Sequence, residues 1–174
     1  MNWNFSFPEA TYMEQRDIDG MLNVEKTSSL TPIVDDDVLA TMSGIPLRTL
    51  VIGTRLEISG LGLLQLSHMQ SLESLALERG AGESLTDNVL KVLCGQRLRK
   101  LRITHCEKLS DKGLSSFQHL PRLASIELRG SKFTDESARQ ISKVKGLKQL
   151  SMLGWEGLTD KGFITCPKSS LWNH

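Results

Sequence analysis

His105 and Cys106 stand side by side, with Ser110-Asp111 following and His119 beyond, so one stretch holds the side-chain types of a nucleophile, a base and a metal site. A thiol becomes a nucleophile when a neighbouring base or cation draws off its proton. Adjacent residues leaving a strand project to opposite sides, so the imidazole of His105 is badly placed to activate Cys106. A zinc site made of His105, Cys106 and His119 lacks a fourth ligand and would have to join separate sides of the fold. Cys94 and Cys166 sit near expected helix ends and read as small buried hydrophobes. Gly60-Leu61-Gly62 lacks the third glycine and the βαβ setting of a dinucleotide loop, and Gly80-Ala81-Gly82 has no Lys-Ser or Lys-Thr after it. The run Asp35-Asp36-Asp37 lacks the spaced ligands of a calcium loop. No catalytic residue, metal ligand or cofactor site emerges, and the expectation is a protein that is not an enzyme.

The elements that carry these residues explain them better. Leu98, Leu101, Ile103, Cys106 and Leu109 follow the spacing L-x-x-L-x-L-x-x-C-x-x-L, that of a leucine-rich repeat. Strand halves of this type recur from Leu47, Leu72, Leu98, Leu123 and Leu147, which are 25, 26, 25 and 24 residues apart. Helical halves recur six times, from Val34/Leu39/Met42/Ile45 to Leu158/Phe163, with apolar residues at helical spacing. In five of the six an aspartate opens the helix: Asp36, Asp87, Asp111, Asp135 and Asp160. A short carboxylate there is expected to be the helix N-cap, stabilising each start by about 0.5–2 kcal/mol. The second unit has Ser59-Gly60 instead, which predicts a weaker helix start. The expected fold is therefore α/β: a leucine-rich repeat solenoid of five to six units, with a curved parallel sheet on the concave side and short helices on the convex side.

The phrases THCEKLSDKGL and LGWEGLTDKGF resemble the cysteine-containing subclass of leucine-rich repeat, found in F-box substrate receptors and in related adaptors without an F-box. The resemblance covers residues 33–163. It implies a non-catalytic role in protein binding, including substrate recognition for a ubiquitin ligase. The chain departs from the pattern, since only Cys106 fills the cysteine position and Arg55, Gly80, Ser131 and Trp155 stand at the matching offsets. The first 30 residues show no helical period and are too few for the three helices of an F-box.

Between the inward leucines, alternate strand residues must project outward and line up across strands about 4.8 Å apart. One expected row is Val51, Ala76, Arg102, Glu127 and Ser151; the next is Gly53, Glu78, Thr104, Arg129 and Leu153. Arg79, Lys100 and His105 join the centre of this face. Glu78, Arg79, Lys100, Arg102, His105, Glu127 and Arg129 form the candidate partner-binding set, with Trp155 at the rim. The face is either a solvated surface of local ion pairs or a mixed-charge recognition patch, and Trp155 either plugs the cysteine position or anchors a partner.

Composition narrows the partners. Net charge is +1, so no whole-molecule field draws in nucleic acid or an anionic membrane. Nucleic acid is disfavoured, because Glu78 and Glu127 interrupt the basic cluster and no exposed aromatic series offers stacking. Three cysteines without a C-x-x-C pair argue against a disulfide framework and for a reducing compartment, cytoplasmic or nuclear. No apolar run is long enough to span a membrane, and the N-terminus lacks the pattern of a secretory leader. Residues 1–32, with Trp3, Phe5, Phe7 and Tyr12, read as an N-terminal cap or a docking arm, residues 33–163 as the repeats, and residues 164–174 as a tail or minimal cap. A second reading of function follows from those ends: a structural assembly factor that binds through its aromatic arm and its open C-terminal end.

Overall fold

A computed structural model describes residues 21–24, 34–52, 56–57, 59–77, 85–165 and 172–173. In chain order these form β1 (Met21–Val24), β2 (Val34–Asp35), α1 (Asp36–Ser43), β3 (Thr49–Ile52), β4 (Leu56–Glu57) and α2 (Gly60–Leu64). After a 3-10 turn, Gln65–His68, come β5 (Ser74–Leu77), α3 (Asp87–Val92), β6 (Lys100–Thr104) and α4 (Asp111–Leu114). A second 3-10 turn, Ser115–His119, leads to β7 (Ser125–Thr134), α5 (Asp135–Ser142), β8 (Gln149–Gly157), α6 (Asp160–Thr165) and β9 (Trp172–Asn173).

Seven strands make one sheet in the order β1-β3-β5-β6-β7-β8-β9, each neighbouring pair parallel; β2 and β4 pair separately, also parallel. Parallel neighbours need a crossover, and from β3 to β8 each crossover runs through one of the short helices. The apolar spacing decides which sheet face the helices cover. Leu50, Ile52, Leu75, Leu77, Leu101, Ile103, Ile126, Leu128 and Leu150 alternate along their strands onto one side. They share a single core with Leu39, Met42, Leu63, Leu66, Leu90, Leu93, Leu114, Phe117, Phe133, Ile141 and Val144. The fold is thus mixed α/β, a parallel sheet backed by short helices.

The sequence pattern starts the repeat at Val34, yet the sheet begins earlier. Met21–Val24 pairs with Thr49–Ile52, which sets Leu22 beside Leu50 and Val24 beside Ile52. At the other end Trp172 pairs with Leu150, so the sheet continues past α6. The aromatic residues Trp3, Phe5, Phe7 and Tyr12 lie outside the described residues.

Candidate interaction face

The uncovered side of the sheet holds the rows expected from the spacing. Val51, Ala76, Arg102, Glu127 and Ser151 are register partners across five strands, as are Thr49, Ser74, Lys100, Ser125 and Gln149. Thr104, Arg129 and Leu153 form the third row. Exposure along these rows is uneven. Ala76 and Thr104 are buried, while Lys100 and Arg129 are exposed and Arg102 and Glu127 half-buried.

Parallel pairing places Glu127 directly across from Arg102, and strand alternation puts Arg129 on the same side two residues along. Both guanidinium groups turn to that one carboxylate: Arg102 Nε lies 3.3 Å from Glu127 Oε2, and Arg129 Nε donates to Glu127 Oε1 at 2.7 Å. The arginine side chains are 42% and 45% exposed, so water screens each pair and each contributes at most about 1 kcal/mol. What the trio does is fix geometry. One carboxylate holds two forked donors in place and leaves a single net positive charge at the centre of the face. Lys100, one row below, has no carboxylate at ion-pair distance among the described residues.

His105 and Cys106 separate as expected, the first exposed and the second fully buried, but both lie past the end of β6, in the turn that leaves it. His105 adopts φ +59°, while Gly130 and Gly154, at the same point of the next two units, have φ +70° and +76°. Its backbone N–H donates to Arg129 O at 2.9 Å, and its Nδ1 lies 3.3 Å from Thr104 Oγ1. The Cys106 thiol donates to the same Arg129 carbonyl at 3.4 Å. Ser131 and Trp155 are register partners in β7 and β8, one unit and two units beyond Cys106. Glu78 and Arg79 lie outside the described residues, and so does the side chain of Trp155.

The aspartates do something other than expected. The N-caps are the residues before them: Ser59, Ser110, Thr134 and Thr159 accept from amides two residues on, at 3.1–3.3 Å, and in α1 the cap is Asp35, which accepts from Val38 N–H. The following aspartate sits inside the first turn and reaches across to the next unit. Asp36 takes the N–H and hydroxyl of Ser59, Asp87 those of Ser110, Asp111 those of Thr134, and Asp135 those of Thr159, at 2.5–3.1 Å. Each carboxylate thus staples one helix start to the next. Where the aspartate is missing, at Gly60, the next cap residue Thr86 makes no capping hydrogen bond. The sequence predicts a weak start at Ser59-Gly60; the weakness instead appears one unit later, because the capping group and the missing carboxylate belong to different units.

The receiving site needs room. A Cβ on Gly113 would lie 2.3 Å from Asp87 Oδ1, and one on Gly162 would lie 2.3 Å from Asp135 Oδ1. In α5 the equivalent residue is Ser137, whose hydroxyl donates to Asp111 Oδ1. In the unstapled third unit it is Val89, buried in the core. This correlation within one chain was readable in the sequence as S/T-D-K-G, but only contacts between units show what the glycine is for. Burial pushes the Asp111 carboxyl up, and the hydrogen bonds from Ser137 and Thr134 outweigh it, holding the group below the usual carboxylate range. The Thr159 hydroxyl and N–H lower Asp135 in the same way.

Burial pushes the Cys94 thiol up, partly offset by hydrogen bonding at Ser116, which suits an inert cysteine. Among the described residues no three His, Cys, Asp or Glu side chains come together as a metal-holding group. No helix there is long and apolar enough to cross a membrane. No protein-family model matches the chain.

Proposed function

We propose that the chain is a leucine-rich repeat solenoid and a non-catalytic protein-binding module, an adaptor or substrate-recognition subunit, with the uncovered sheet face as its concave recognition surface. The observation that carries this reading is the Arg102–Glu127–Arg129 trio. It is a preorganised pair of guanidinium forks on a face that no described element covers, and a forked donor held in place loses little entropy when it meets a partner carboxylate. Lys100 and His105 flank it, and half-buried Cys94 and buried Cys106, both present as thiols rather than disulfides, suit a reducing compartment. Under the same reading Glu78, Arg79 and Trp155 belong to the partner-binding set by their place in the sequence pattern.

The test is capture from native extract by the full chain and by a variant carrying Arg102→Glu and Arg129→Glu. Loss of the captured protein, with circular dichroism unchanged, supports the reading. Capture that is equal in both overturns it.

A second reading, assembly through the ends, draws on the last unit. Ile164 on α6 is 82% exposed, and Asp160 occupies the stapling position with no following cap residue in its grasp among the described residues.

A further inference from the structure

A second charged surface lies along the edge of the sheet where each helix returns to its strand. The turns there are built identically. Glu73 and Ser74 N–H donate to Arg48 O, Arg99 and Lys100 N–H to Glu73 O, Ala124 and Ser125 N–H to Arg99 O, and Lys148 and Gln149 N–H to Ala124 O, at 2.7–3.0 Å. One carbonyl clamps two amides of the next unit in every turn, so the backbone is fixed and equivalent side chains stack in rows. One row is Arg48, Glu73, Arg99, Ala124 and Lys148; two residues earlier, beyond the buried leucines, stands a row that includes Ser71, Arg97 and Arg122.

This edge is basic although the whole chain is nearly neutral. Arg97, Arg99, Lys100 and Arg122 serve the middle turns and Lys143, Lys145 and Lys148 the last, all exposed. The compensating acids stand at the opposite edge, where the stapling aspartates open the helices. Glu73 is the single carboxylate on the basic edge among the described residues, and Arg99 Nε meets it at 3.5 Å.

A cavity of about 320 Å³ opens among these turns, lined by Arg48, Gln70, Ser71, Glu73, Arg97 and Arg122. Its three guanidinium groups come from three different units, and none has a carboxylate within ion-pair distance among the described residues. A carboxylate offers two oxygens and satisfies one guanidinium fork. A phosphate monoester offers three oxygens and a charge of about −1.5 to −2, enough to engage several forks at once, with Gln70 and Ser71 as neutral donors. No aromatic residue lines the cavity, so a nucleobase would find nothing to stack on.

We propose that this cavity binds the phosphate group of a phosphorylated, acidic peptide segment, whose flanking carboxylates lie along the lysines of the last turn. The site is separate from the sheet-face trio and does not depend on it. Peptide binding here uses the general scheme of phosphate recognition by clustered arginines, on turns that the backbone clamps hold in register.

The experiment titrates the full chain into three fluorescein-labelled probes followed by anisotropy: a glutamate-rich peptide with one phosphoserine, its unphosphorylated twin, and an oligouridylate of matched length. The phosphopeptide is expected to saturate at low salt and to bind about tenfold or more tightly than its twin, weakening as salt rises. Arg97→Glu with Arg122→Glu is expected to weaken it by about tenfold or more while circular dichroism stays unchanged, since both side chains are exposed. Arg102→Glu with Arg129→Glu is expected to leave it intact, so failure here and failure of the sheet-face reading are distinguishable. Equal binding of the phosphopeptide and its twin, equal or tighter binding of the oligouridylate, or indifference to the Arg97 and Arg122 reversals overturns the proposal.

Discussion

His105 shows how one residue can answer to two demands. The turn leaving β6 requires a left-handed backbone, and the next two units meet it with Gly130 and Gly154, which reach that conformation without a Cβ penalty. His105 meets it with an exposed side chain whose Nδ1 reaches only the neighbouring Thr104 hydroxyl among the described residues. Strain retained where glycine would serve is the pattern of a position kept for its side chain. His105→Gly is therefore expected to raise stability by about 0.5–1 kcal/mol, the relief of strain exceeding the added entropy of the unfolded glycine. Urea unfolding at constant slope measures it, and a loss of stability would show that the histidine holds the turn. Cys106, its neighbour, belongs wholly to the scaffold: it is buried, and its thiol closes on the same Arg129 carbonyl that the His105 amide uses.

At the scale of elements, the helices here are too short to be stable alone, four to eight residues each, and their starts are tied to one another. The tie from α3 to α4 runs from Asp87 to Ser110, and Gly113 leaves the space for it. Ordinarily Gly→Ala inside a helix stabilises by about 0.5–1 kcal/mol. At Gly113 the sign is expected to reverse, with a loss of about 1–2 kcal/mol as the new methyl displaces the Asp87 carboxylate. Placed in an Asp87→Ala background, where the staple is already gone, Gly113→Ala is expected to become neutral or stabilising. A double-mutant cycle by chemical denaturation reads this coupling directly, and additive effects would mean that the glycine serves the helix itself rather than the tie. The neutral reading of the aspartates as simple caps fails for a definite reason: an N-cap argument uses only residues within three or four positions, whereas these carboxylates bond residues 23 or 24 positions away.

For the molecule as a whole, the same ties set the response to acid. Asp111 and Asp135 are held below the usual carboxylate range by hydrogen bonds to the next unit, and Glu136 by Gln140 and Arg139. A carboxyl lowered in the folded state binds its proton less readily than in the unfolded chain. Its contribution is therefore present above the unfolded value, about pH 4, and is lost as pH falls through the lower folded value. Stability measured by urea unfolding is expected to decline as pH drops below about 4.5, and Asp111→Asn is expected to make that decline shallower while lowering stability at neutral pH. An unchanged slope in the variant would assign the acid sensitivity to other groups. Charge is also distributed along one direction of the molecule, acids at the helix starts and bases at the helix-to-strand turns, a separation that a net charge of +1 conceals.

Much of this was legible in the amino-acid order. The alternation of Leu98, Leu101 and Ile103, and its return every 24 to 26 residues, is a local physical requirement of a strand with one buried face, so the inward leucines and the outward rows at Arg102 and Glu127 could be read directly. Other features depend on which units touch. Met21–Val24 joins the sheet through its register with β3, although the spacing around it does not match the later units. The charge state of the sheet face rests on Glu127 serving two arginines at once, and the aspartates change from caps to staples because a neighbouring unit brings Ser or Thr to them. The basic cavity gathers Arg48, Arg97 and Arg122 from three separate turns, each unremarkable in its own segment. Sequence determined the period, the core and the direction of each side chain, because those follow from φ/ψ and burial within a unit. The tertiary structure alone decided which charges meet, because that depends on distances between units stacked in parallel.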